Sequence, residues 1–346
     1  MLDYSPVKLN KNGAKMNPAK CTEQDYIQFL IATPRTYSCT EAARVSPKLE
    51  SPPSHDSFTR LLTRSEPKPE ALWTEVAPEI TKDSGVLVLD DSTLDKLYAK
   101  KMDLVYYHWS GKHHAVVKGI NLLTLIWTDG DGYIPCDHRI PDKNTDHLTK
   151  NAHFRAVLKT AKERGFQPTA VVFDSWYSSL ENLKLIKDFE WIWLTQLKSN
   201  RQINPDRTKN RAISDVSLSS DGNIVHLKGY GLVKVFRIVA RNGDTEYWAT
   251  NDLSMSNLTR QSLAERRWMI EVYHRDLKQN CGVERCQARS GIAQRNHIGF
   301  AIRAFVRLER YFYRTGISIM EAKNKIIRNA VRFYLSAPLY NLPATA

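Results

Sequence analysis

Val86-Leu87-Val88-Leu89-Asp90 is a run of four apolar residues closed by an acid, and Ala170-Val171-Val172-Phe173-Asp174 has the same form further along the chain. Short apolar runs of this kind read as strands buried on both faces of a sheet. An acid that ends such a strand stands at the lip of the sheet, where open α/β folds bind their ligands. The two aspartates are therefore the first candidate functional residues. Asp91 follows Asp90 directly. On a pleated strand the two side chains point to opposite faces, so Asp90 is the preferred ligand and Asp91 a supporting or capping group.

Working outward from these runs, extended segments are expected around 104–109, 115–127 and 132–138. The last two are separated by the turn Asp129-Gly130-Asp131-Gly132. A helix over 146–164 ends at Gly165, a residue suited to closing a helix. A strand at 169–173, a short helix at 178–187 and the strand Trp191-Ile192-Trp193-Leu194-Thr195 follow. Antiparallel strands first and βαβ units afterwards predict an α/β chain with a mixed sheet flanked by helices. That is the element order of the ribonuclease H-like fold. From about 200 to 250 the pattern turns to short strands: Leu232 to Val239, the turn Arg241-Asn242-Gly243-Asp244, and the returning strand Glu246 to Thr250. Beyond residue 259 the chain reads as helical and rich in arginine.

The third candidate acid lies in that helical part. In Arg267-Trp268-Met269-Ile270-Glu271-Val272-Tyr273-His274-Arg275-Asp276-Leu277-Lys278, the residues Arg267, Glu271, Arg275 and Lys278 share one face. Ile270, Tyr273 and Leu277 lie on another, which can face a core. One acid among several bases suits a metal ligand flanked by phosphate clamps. An exposed helix laced with ion pairs has the same pattern. Two strand-end acids and one helix acid together offer the oxygen ligands that Mg²⁺ takes. A pair of such ions about 3.5–4 Å apart drives in-line displacement at phosphorus.

Composition supports an anionic partner. Lys and Arg number 50 against 37 Asp and Glu, for a net charge of +13 and an isoelectric point near 9.4. A basic balance favours nucleic acid or an anionic membrane. No stretch approaches the roughly 20 apolar residues of a spanning helix, and Met1-Leu2-Asp3-Tyr4 lacks the pattern of a secretion signal. The odd, scattered cysteines Cys21, Cys39, Cys136, Cys281 and Cys286 fit free thiols in a reducing cytoplasm. Five regions are expected: helices over 1–75 after a loose first 20 residues, a first sheet part over 80–199, a β-rich insertion over 200–255, the Glu271 helix over 256–290, and a basic helical region over 291–346. In the first, helices start after Thr22, near Thr40 and near Ser54; the last two are similar to a helix-turn-helix module that would bind DNA ends, with plain packing helices as the equal alternative. Ser65-Glu66-Pro67-Lys68-Pro69 reads as a boundary.

With these residues in view, the chain resembles the DDE-class transposases of bacterial insertion sequences, in the cut-and-paste group with a β-rich insertion between the second Asp and the Glu. The matching stretches are Val88-Leu89-Asp90-Asp91-Ser92-Thr93, Val171-Val172-Phe173-Asp174-Ser175-Trp176-Tyr177, and Arg266 to Lys278. In the last, Arg267, Glu271 and Lys278 fill the family's spacing of Arg, three residues, Glu, six residues, Lys. Ala264 stands where the signature has a Tyr. The resemblance spans roughly residues 80–315. It implies that Asp90, Asp174 and Glu271 bind two Mg²⁺ ions, with Mn²⁺ able to substitute. It implies cleavage at the ends of a genetic element and attack of the freed 3′-hydroxyl on target DNA. The partners it implies are double-stranded DNA, as terminal repeats and target, and a second copy of the chain in a synaptic complex. The setting it implies is the bacterial cytoplasm, at the nucleoid.

Around that site, Arg267, His274, Arg275 and Lys278 are candidate DNA contacts, with a core position as the alternative for His274. Arg303, Arg307, Arg310 and Arg314 form a basic stripe with few acids nearby in sequence (Glu309 and Glu321), which favours a DNA-tracking role. Trp176, Tyr177 and Trp248 are candidate rings for an extruded base, while Trp191, Trp193 and Trp248 read better as core. Two other functions fit the pattern: a catalytically silent, transposase-derived DNA-binding regulator, and a ribonuclease H-like nuclease without strand transfer.

Overall fold

The computed structural model describes residues 19–47, 50–110, 114–240 and 243–338. The first 18 residues, and Arg241-Asn242 of the expected turn, lie outside the described residues.

The chain begins with four helices, α1 (Glu23–Ala32), α2 (Cys39–Arg44), α3 (His55–Arg64) and α4 (Pro69–Val76). Thr22 caps α1 as expected. Its hydroxyl accepts from the Asp25 amide at 3.3 Å, and Asp25 returns the bond to the Thr22 amide at 2.8 Å. The sheet then opens with β1 (Val86–Asp95), β2 (Tyr106–Ser110), β3 (Ala115–Thr128) and β4 (Tyr133–Arg139). Helix α5 (Lys150–Glu163), strand β5 (Ala170–Phe173), helix α6 (Leu180–Asp188) and strand β6 (Trp193–Leu197) complete two parallel crossovers. Along one path the strands run β4-β3-β1-β5-β6, with β1, β5 and β6 parallel and β3 antiparallel between β4 and β1. This is the mixed, helix-flanked sheet that the element order predicts.

The β-rich insertion comprises β7 (Gln202–Asn204), β8 (Arg211–Ala212), β9 (Asn223–Leu227), β10 (Gly231–Val239) and β11 (Thr245–Thr250). It is continuous with the sheet: β11 pairs antiparallel with β6, and β10, β9, β7 and β8 follow outward. Trp248 on β11 and Trp191 and Trp193 beside and on β6 are all buried, which bears out their core reading. The chain then runs through α7 (Asn257–Asn280), α8 (Gly291–Thr315) and α9 (Ile319–Ser336). Among the described residues no helix is long and apolar enough to cross a membrane, and all five cysteines are free.

Two expectations are corrected. Strand β1 does not end at Asp90. It runs five residues further because long β3 pairs with it as far as Asp95 opposite Gly119. Nor is Ser65–Pro69 a break in packing. Pro69 opens α4, and the Asn296 side-chain amide of α8 donates to the carbonyls of Leu62 at 2.8 Å and Ser65 at 2.7 Å. Tyr26, Phe58 and Leu72 of the N-terminal helices join the same buried cluster as the sheet.

Candidate active site

The register of the parallel strands sets the site. Leu89 on β1 lies level with Phe173 on β5, so Asp90 and Asp174 are the next residues on adjoining strands, whose axes stand about 4.8 Å apart. Strand β5 stops there, and the chain turns through Ser175–Tyr177 into α6. Asp90 stays in the ladder opposite Thr124 of β3. The two acids therefore share a notch where the parallel pairing gives out. Burial pushes the Asp90 carboxyl well above the usual carboxylate range, and the charges of Asp91 and Asp174 push the same way. Arg267 and the Asp91 amide, 2.8 Å from Asp90 Oδ1, offset this only in part. A buried carboxyl that resists its charge beside a second strand-end acid offers oxygen donors of the kind a hard divalent cation takes.

Asp91 faces the opposite side. Lys150, in the first turn of α5, places Nζ 2.7 Å from its Oδ2. The Asn121 side-chain amide donates to the same oxygen, and the Tyr177 hydroxyl donates to Oδ1. Burial works against the charge on Asp91, yet Lys150 and these hydrogen bonds outweigh it and hold the carboxyl below its ordinary range. Asp91 is thus fully engaged by protein groups. The roles of Lys150, Asn121 and Tyr177 are not legible from sequence, because the three come from α5, β3 and the turn after β5.

Glu271 sits on α7, whose Ile270, Tyr273 and Leu277 are buried as their spacing predicts. Its carboxylate lies 3.3 Å from Arg267, one turn earlier. Among the described residues no three His, Cys, Asp or Glu side chains converge closely enough to hold a metal ion. Lys278 turns back to the sheet, donating to the Thr93 carbonyl at 2.8 Å and pairing with Glu284 at 3.2 Å. Arg275 is exposed, 3.9 Å from Asp276.

The structure corrects two assignments of DNA contacts. His274 is buried, and burial pushes its imidazole down to about 3, so it takes the core position that was the alternative to a DNA contact. Arg303, Arg307 and Arg310 do not form an open stripe. Arg303 lies 2.8 Å from Glu75 and 2.6 Å from Glu23, Arg307 lies 2.9 Å from Glu75, and Arg310 lies 2.5 Å from Glu79. The neutralising acids come from α1, α4 and the turn after it.

The model of the family described as "Transposase DDE domain" matches residues 83–307. A solved structure similar to this chain is that of piggyBac transposase in a synaptic complex with hairpin DNA: TM-score 0.54, 12% identity, covering 96% of this chain and 76% of that one. The NurA nuclease from Sulfolobus solfataricus aligns with a TM-score of 0.26 and 8% identity, over 83% of this chain and 95% of that one. No curated protein matches. The family match spans both strand acids and the Glu271 helix, and the chain belongs to the DDE-domain transposase family.

Proposed function

We propose that this chain cuts double-stranded DNA at the ends of its genetic element and joins the freed 3′-hydroxyl to target DNA by metal-dependent phosphoryl transfer. The observation that supports this most is the strand register that brings Asp90 beside Asp174, where burial and the charges of Asp91 and Asp174 outweigh the pull of Arg267 on the Asp90 carboxyl. Asp90, Asp174 and Glu271 are the residues that would hold two Mg²⁺ ions, Mn²⁺ substituting, once Glu271 has left Arg267 and closed on the two strand acids, since the three do not converge as they stand. When bound, such ions activate the attacking oxygen and neutralise charge developing on phosphorus. Arg267, within the field of Asp90 and 3.3 Å from Glu271, supplies a guanidinium that can pass from the acids to a DNA phosphate. Asp91, tied to Lys150, keeps β1 and α5 in register beneath the notch. Pairing two DNA ends calls for a second copy of the chain.

The test is a gel assay of purified protein with its element's end joined to flanking DNA, in Mg²⁺ and in EDTA, for wild type and Glu271→Ala. Mg²⁺-dependent cuts at the boundary, lost in the variant, are expected. Binding without cutting in any divalent metal would instead favour a silent DNA-binding regulator. Cutting without joined products would favour a nuclease.

A further inference from the structure

Helix α8 carries Gly299 in its interior, where glycine is less favourable than alanine. No atom beyond its own stretch of helix stands within 4 Å of where its Cβ would be, so close packing does not call for the missing side chain. Gly299 lines a cavity of about 390 Å³ that lies between α4, β4, α5 and α8. A cavity of that size suits a small ligand. It stands apart from the acidic notch. Arg139 on its wall is level with Leu123 of β3, which in turn is level with Asp91 of β1.

Two cations of the wall lack an acid. Arg139 of β4 is half-buried, and its Nε donates to His153 Nδ1 at 3.2 Å. Arg295 of α8 is also half-buried, and its Nη1 donates to the Ile140 carbonyl at 2.6 Å. Among the described residues neither guanidinium forms an ion pair, and their remaining nitrogens meet no protein acceptor. Burial works against the Arg295 charge more strongly than Asp142 and Asp146 favour it from a distance. On the same wall His138 is buried, and its Nδ1 has no hydrogen-bond partner among the described residues. The acids of the cavity are already engaged or lie outermost. Glu23 meets Arg303 at 2.6 Å, and Asp137 meets Arg164 at 3.4 Å. Asp146 accepts from the amides of Asp142 at 2.9 Å and Leu148 at 3.1 Å and lies 3.3 Å from His153. Glu66 and Glu70 are exposed at the rim.

We propose that this cavity binds a small anion through its phosphate group, with Arg139 and Arg295 holding the phosphate oxygens. A guanidinium presents paired N–H groups that match phosphate. Two half-buried guanidinium groups without carboxylates are stabilised by an anion that supplies the missing acceptors. A free phosphate compound fits better than the backbone of a duplex, because the exposed carboxylates of Glu66 and Glu70 at the rim repel a polyanion. The bound anion joins α8 to β4, so it ties the helices packed on α8 to the sheet. The inference is independent of the chemistry at Asp90 and Asp174.

The test is titration calorimetry of the full chain in metal-free buffer with inorganic phosphate, pyrophosphate and adenosine monophosphate, against sodium chloride of equal ionic strength. At least one probe should bind a single site per chain at millimolar concentration or below, and should raise the melting temperature. Arg139→Gln and Arg295→Gln should each weaken that binding roughly 10-fold or more. Without the probe both should melt close to wild type, since neither arginine gives up an ion pair. Gly299→Leu keeps every charge and fills the space. It should abolish binding while melting no lower than wild type, because leucine suits a helix better than glycine. Should Gly299→Leu fail to fold, the two arginine variants decide alone. No saturable binding of any probe, or binding as tight in the arginine variants as in wild type, would overturn the inference. So would displacement of the probe by end DNA together with a shallower salt dependence of DNA binding in Arg139→Gln, which would give the two arginines to the DNA backbone.

Discussion

Asp90 and Asp91 are consecutive residues in opposite electrostatic states. Asp91 is held charged by Lys150 at 2.7 Å and by Tyr177 and Asn121. Asp90, across the sheet, is half-buried near Asp91 and Asp174 and resists ionisation. The pleat alone separates the two environments. One acid is committed to the fold, and the other is held where its charge is disfavoured.

The two aspartates should therefore respond oppositely to neutralisation. In metal-free buffer, Asp90→Asn replaces a carboxyl whose charge the notch disfavours and should melt at an equal or higher temperature than wild type, a common trade at functional sites. Asp91→Asn strands the Lys150 ammonium in a partly buried site and should cost on the order of 3 kcal/mol. Thermal melts of the two variants decide it, and a larger loss from Asp90→Asn would reverse the assignment.

Glu75 is the hub of the α4–α8 contact, bonding Arg303 and Arg307 side by side. Burial alone would raise its carboxyl, but the hydrogen bonds and charges of these arginines win and hold it below its ordinary value. Its stabilising share is thus complete above the ordinary carboxylate pKa and fades as pH falls below it. Glu75→Gln leaves several guanidinium groups poorly paired, and a loss on the order of 3 kcal/mol is expected at pH 7. A melt within about 0.5 kcal/mol of wild type would show the cluster to be superficial.

The sheet and its two strand acids were legible because apolar runs, turns and a capped helix are local signals: Val86–Leu89, Asp129–Gly132 and the Gly165 stop all lie where the sequence puts them. What escaped depended on distant partners. Strand β1 continues through polar Asp91-Ser92-Thr93 because β3 supplies a ladder there. The arginines of α8 read as open because their acids, Glu23 and Glu75, lie far back in the chain. The three groups that hold Asp91 come from three separate elements.

Salt dependence should separate arginines that meet DNA from those that brace the fold. Arg275 is exposed and only loosely paired, so Arg275→Ala should reduce the slope of log affinity against log salt by about 1. Arg307→Ala, whose guanidinium is already neutralised by Glu75, should leave the slope unchanged while lowering the melting temperature. Binding titrations at several salt concentrations measure both. The reverse ranking would return DNA tracking to α8.

His297 joins α1, α8 and the segment after α7 through its ring. Nε2 lies 3.0 Å from the Gly282 carbonyl, which can only accept, so Nε2 carries the proton and Nδ1 accepts from the Tyr26 hydroxyl at 3.0 Å. Burial, aided by the nearby charge of Lys96, pushes the imidazole down to about 4 against the opposing pull of Gly282. The unfolded chain therefore takes up this proton before the folded one does. The group's stabilising share is complete above its ordinary value of 6.5 and is lost as pH falls from there towards 4. Buried carboxyls with raised values, Glu309 at about 7 among them, act with the opposite sign, so the wild-type profile alone is not diagnostic. The difference between wild type and His297→Gln isolates the term, since Gln can donate and accept but does not titrate. Wild type should lose about 3 kcal/mol relative to the variant between pH 7.5 and 4.5. A pH-independent difference in melts would mean that His297 takes up its proton equally readily in the folded and unfolded chains, and burial would then not depress it.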